Sequence, residues 1–144
     1  MKRIAKTMLG VTLLEIMLVL AIAAMIIVMS IRYYQSANAN QQVNSAIEQV
    51  QAIAAAYDSL AQQAGGFSQV TSSSVTALLP AGSRNLPWGG TITANGTGGT
   101  LSVTFSTAAP TTLCGLMQAK YKNNQSFSMT DCNGVTYTSG GGST

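Results

Sequence analysis

The reactive groups of this chain are few, and the most conspicuous is a carboxylate in an apolar setting. The stretch LGVTLLEIML (9–18) sets Glu15 behind Leu13 and Leu14 and ahead of five further apolar residues. An acid at the centre of a bilayer costs about 2.5–3.5 kcal/mol even on insertion scales, so a charge placed there asks for a partner. Cys114 and Cys132 are the second reactive pair; with no histidine in the chain, no third or fourth zinc ligand accompanies them. An even pair in a chain that crosses a membrane reads as a disulfide formed in an oxidising compartment, worth about 3 kcal/mol by loop closure. Beyond Arg32 the acids are Glu48, Asp58 and Asp131 alone, none spaced as a catalytic pair. Serines and threonines abound, but there is no imidazole to activate one. The expectation is a protein that is not an enzyme and holds neither cofactor nor metal.

Charge distribution points the same way. Seven basic residues face four acidic ones in 144, yet Lys2, Arg3 and Lys6 account for the excess. The remaining bases, Arg32, Arg84, Lys120 and Lys122, balance Glu15, Glu48, Asp58 and Asp131, leaving no electrostatic footprint for nucleic acid. Lys120, Tyr121 and Lys122 make a small basic-aromatic spot that reads better as the solvated end of a helix, where positive charge suits the dipole.

Elements must position these groups. From residue 11 to residue 31 the chain is apolar except for Thr12, Glu15 and Ser30; as a helix it spans roughly 31 Å, enough for a hydrocarbon core. The basic residues before it put the N-terminus in the cytoplasm and everything after Arg32 outside. A secretory signal cut at Ala21-Ile22-Ala23 fits less well, because Glu15 interrupts its apolar region and the run continues past Ala23.

The helix is expected to continue. Residues 36–64 contain no proline or glycine, and Val43, Ile47, Val50, Ile53, Ala54, Tyr57 and Leu60 fall on one face. Gln42, Asn44, Ser45, Gln49, Gln51, Asp58 and Gln62 take the other. Gly65-Gly66 ends it. Thereafter the sequence predicts a short helix in TSSSVTALLP capped by threonine and stopped by Pro80. A hairpin follows with strands at 91–95 and 100–106. A helix with a threonine cap is expected in PTTLCGLMQAKYKN, then a second hairpin turning at Asn133-Gly134, and a mobile tail SGGGST. Trp88 reads as a packing or turn residue. The fold class is α+β: a long N-terminal helix, transmembrane then amphipathic, on a small antiparallel sheet.

At GVTLLE the chain resembles the type IV pilins, whose signature is a short basic leader, a glycine, an apolar residue and a glutamate fifth after the cut. The resemblance covers residues 1 to about 65 and is architectural beyond. It implies cleavage between Gly10 and Val11 by a prepilin peptidase, N-methylation of Val11, and an assembly role for Glu15. It divides the chain into a leader (1–10), a transmembrane and assembly helix (11–35), the amphipathic half of that helix (36–66), and a globular head (67–144) with a D-region bounded by Cys114 and Cys132. A mature chain starting with valine, together with LPWGGTI (86–92), looks type IVb-like. The implied partners are identical pilin subunits, the prepilin peptidase, an inner-membrane assembly machinery, and the membrane before assembly. The implied location is the inner membrane as precursor, then an extracellular filament serving adhesion, conjugation, DNA uptake or motility. The electrostatics agree: Glu15 of one subunit can meet the Val11 amine of a neighbour, and a subunit out of step would bury both charges unpaired.

Two other functions share parts of this layout. A type II secretion pseudopilin carries the same N-terminal signal but commonly binds calcium through an acidic loop, and Asp131 is the single acid in the last 80 residues. A monomeric membrane-anchored binding module accounts for the anchor and the polar domain but not for Glu15.

Overall fold

The computed structural model describes the backbone of residues 4–140 and the side chains of residues 12–140. Gly10 and Val11, the implied cleavage and methylation sites, are described as helical backbone alone, and residues 1–3 and 141–144 lie outside the described residues. The chain divides into two compact units, Met1–Asn38 and Ala39–Thr144.

One helix, α1, runs Ile4–Ala64 over 61 residues. In the first unit the large apolar side chains among the described residues are open: Leu13, Ile16, Leu20, Ile26 and Met29 are 58–71 % exposed. This stretch is long and apolar enough to cross a membrane.

In the second unit the same helix lies on a four-stranded antiparallel sheet, as the α+β reading requires. The strands are β1 (Ile92–Thr97), β2 (Thr100–Phe105), β3 (Phe127–Ser128) and β4 (Gly134–Thr138), in the order β1-β2-β4-β3. Val43, Val50, Ile53, Ala54 and Tyr57 are buried as their spacing predicts, whereas Ile47 and Leu60 reach only the margin of the core and Ala46 and Ala61 sit inside it. Small residues at those two positions fit a helix that lies close on a sheet. Gly65 then takes a φ of 78°, and the Gly66 N–H returns to the Ala61 carbonyl at 2.9 Å. This six-to-one bond closes the helix in the manner of a Schellman motif.

The inner face of the sheet is built from rows across the strands. Ala94, Val103 and Val135 align in one row, and Gly96, Leu101, Tyr137 and Phe127 in the next. Gly96 belongs to that row because of Tyr57: a Cβ there would stand 2.2 Å from Tyr57 Cε2. The first hairpin turns tightly on Gly98 and Gly99, both at positive φ (54° and 90°), the two-residue geometry that suits the strand twist. Strand β1 consequently extends to Thr97 rather than ending at residue 95.

Two short α-helices and two single 3-10 turns, Phe67–Gln69 and Ala81–Arg84, complete the described part of the unit. Helix α2 (Ser72–Leu78) is capped as predicted, Thr71 Oγ1 accepting from the Ser74 N–H at 3.4 Å. Helix α3 (Thr111–Tyr121) corrects the expected threonine cap: Pro110 occupies the cap position and no side chain caps the helix. The second hairpin is corrected too. Its turn spans residues 129–133, and Gly134 is the first residue of β4, paired with Thr104 of β2. A Cβ at Gly134 would meet the Val103 carbonyl oxygen at 2.4 Å, so close strand approach, not the turn, is what needs this glycine.

Candidate functional site

Glu15 sits on the exposed surface of α1 beside Thr12, Ile16, Val19 and Leu20. The helix places Val19 one turn further along the same face. Around the carboxylate the neighbouring side chains on this face are apolar apart from Thr12. A second apolar surface laid against this face would desolvate the carboxylate, which demands a compensating positive charge.

Cys114 and Cys132 are joined by a disulfide with Cα atoms 5.4 Å apart. Cys114 lies on the buried side of α3, while Cys132 belongs to the loop before β4, whose carbonyl accepts from the Ala109 N–H at 2.9 Å. The bond therefore ties the segment between α3 and β4 back onto the start of α3. Asp131 is exposed and accepts from the Asn133 N–H at 3.4 Å, a local turn bond.

The aromatic groups of the head pack in or against its core. Tyr121 turns into the core, its ring 5.7 Å from Phe127, and its buried hydroxyl has no partner among the described residues. Burial pushes its pKa up to about 12. With the ring inside, the Lys120–Tyr121–Lys122 spot offers no stacking face. Lys120 Nζ donates to Asn44 Oδ1 on α1, and Lys122 faces solvent. Trp88 packs edge-on against Phe105 with centroids 5.7 Å apart, and its Nε1 donates to the Thr107 carbonyl at 3.2 Å. It is a packing residue. Among the described residues no three His, Cys, Asp or Glu side chains group closely enough to hold a metal ion.

Two contacts escaped the reading by helical face. Asp58, assigned to the polar side of α1, is half-buried, and its Oδ2 accepts from Tyr137 Oη at 2.5 Å. Gln49, also assigned there, donates through Nε2 to the Asn85 carbonyl at 3.0 Å. Helical spacing ranks positions by hydropathy, so it sends a polar residue outward even where a distant strand supplies its partner.

The sheet unit thus presents a packed, disulfide-tied body, and the first unit presents a bare apolar helix with one carboxylate. No protein-family model, no curated protein and no solved structure matches this chain.

Proposed function

We propose that the chain is a structural subunit of a type IV pilus, type IVb-like, processed after Gly10 and polymerised through its N-terminal helix. The observation that carries the reading is the apolar surface of residues 13–31, which no part of the described chain covers, joined to the GVTLLE signature and to Glu15 in its place. Such a surface needs the bilayer before assembly and neighbouring helices after it.

Glu15 supports the filament in preference to a simple anchor. A single-pass anchor gains nothing from a carboxylate in its apolar stretch. In a stack of identical helices, the same carboxylate can pair with the Val11 amine that cleavage would create. That pairing selects one axial offset between subunits, because any other leaves two charges desolvated. The disulfide-tied head suits a subunit that works outside the cell, where thiols oxidise.

Intact-mass analysis tests processing: the expected mature chain begins at N-methylated Val11. A chain beginning at unmethylated Ala24 or Met25 overturns the proposal. Electron microscopy of sheared surface material tests polymerisation, with filaments containing this chain expected and their absence overturning it.

A further inference from the structure

The end of the apolar stretch carries three consecutive residues that the pairing of Glu15 does not use. Arg32, Tyr33 and Tyr34 are all exposed, the two tyrosines to 79 % and 72 %. They follow Ile31 directly and precede a polar run of Gln35, Ser36, Asn38, Asn40, Gln41 and Gln42. The hydropathy of the helix therefore changes within one turn, and these residues sit at the step.

Their angular placement indicates what surrounds them. Consecutive helical residues point about 100° apart, so the three side chains sweep roughly 200° of the circumference. A protein partner takes hold of a helix through residues three and four apart, on a single face. A lipid interface encloses the helix from all sides. Tyrosine also suits that boundary, with an apolar ring for the acyl chains and a hydroxyl for the headgroup layer. Arginine can lay its methylenes along the apolar surface and carry its guanidinium to a lipid phosphate.

We infer that Arg32, Tyr33 and Tyr34 form a collar that seats α1 at the phospholipid headgroup layer and sets the depth of the unassembled subunit in the bilayer. The inference rests on the membrane-anchored reading of the helix and adds a specific interface and lipid chemistry to it. The collar holds the helix against axial sliding: moving it inward buries the guanidinium and two hydroxyls, and moving it outward exposes Ile31 and Val28 to water.

Depth-resolved quenching of the full chain in phosphatidylcholine vesicles tests this. Two single-tryptophan reporters, Tyr34→Trp and Leu20→Trp, are made with Trp88→Phe, and retention of the head's melting transition checks folding. A nitroxide at the headgroup is expected to quench the Tyr34→Trp reporter several-fold more than one deep in the acyl chain, and the Leu20→Trp reporter is expected to show the reverse. If Leu20→Trp is quenched by the deep label while Tyr34→Trp is quenched by neither, the helix is membrane-inserted and the collar is wrong. Quenching of neither reporter removes the membrane reading and the inference with it. Cross-linking of the tyrosines between copies, without lipid quenching, assigns them to a protein contact and also overturns it. In a second arm, Arg32→Gln, Tyr33→Ser and Tyr34→Ser are combined with the Leu20→Trp reporter; a depth shift of about one helical turn, ~5 Å, is expected, and an unchanged depth overturns the proposal.

Discussion

Tyr137 Oη donates to Asp58 Oδ2 at 2.5 Å, joining strand β4 to helix α1 across 79 residues of sequence. Asp58 Oδ1 is buried without a partner among the described residues, so within them this bond is the carboxylate's one side-chain anchor. Tyr137→Phe should therefore destabilise the head by about 1.5–3 kcal/mol, the range for a hydrogen bond to a charged group. Asp58→Asn retains an acceptor and should cost less. Urea unfolding of the full chain in detergent measures both, and equal stability of Tyr137→Phe and the parent would show the bond to be energetically idle.

The same bond sets a pH dependence. Burial first, then the hydrogen bond to Asp58 and its negative charge, push the Tyr137 pKa from 10.0 up to about 12; burial alone moves Tyr121 to about 12. Both shifts are upward, so the folded state holds these protons more tightly than the unfolded state. Their contribution is complete below pH 10 and is lost as pH rises from about 10 to about 12. Ultraviolet titration should find Tyr121 and Tyr137 ionising late, with Tyr137→Phe and Tyr121→Phe each removing one late step. Normal ionisation of all five tyrosines would contradict the packing described.

Gly96 and Tyr57 make a second long-range pair that can be tested by adding one methyl group. A Cβ at Gly96 would fall 2.2 Å from Tyr57 Cε2, so Gly96→Ala should cost about 1–3 kcal/mol by overpacking. Its φ is not positive, and the cost should come from space alone. Combining it with Tyr57→Leu should then cost less than the sum of the two single changes. Strict additivity in a double-mutant cycle would exclude a direct clash.

Reduction of Cys114–Cys132 should lower the stability of the head by about 3 kcal/mol. The apolar half of α1 lies outside the loop that the disulfide closes, so its helicity should persist. Circular dichroism melts with and without reductant, in detergent, separate the two effects.

On the proposed assembly role, Glu15→Ala should leave processing intact while filament yield falls sharply. The head's melting transition should not change, since Glu15 is exposed and is not one of the core residues. Normal yield would show that the charge does not set the register.

Much of the scaffold was legible because its signals are local. An apolar run of membrane-spanning length, a glycine pair after a periodic stretch, and Thr71 ahead of α2 each act over a few residues. One error was local, and the other arose where a distant element decided. The cap expected on α3 yielded to Pro110, whose fixed φ suits a helix start without any side-chain bond. The Asn-Gly pair at 133–134 looked like a hairpin turn, but β2 claims Gly134 as a strand residue through close contact with Val103.

The sequence alone determined the α+β class, the bare apolar half of α1, the position of Glu15 within it, and the cysteine pair, because hydropathy, helical period and residue type are properties of short stretches. Tertiary structure alone decided that Asp58 turns toward Tyr137 and that Gly96 makes room for Tyr57. Each of those outcomes depends on residues tens of positions apart meeting at contact distance, where sheet register and side-chain volume outweigh local preference.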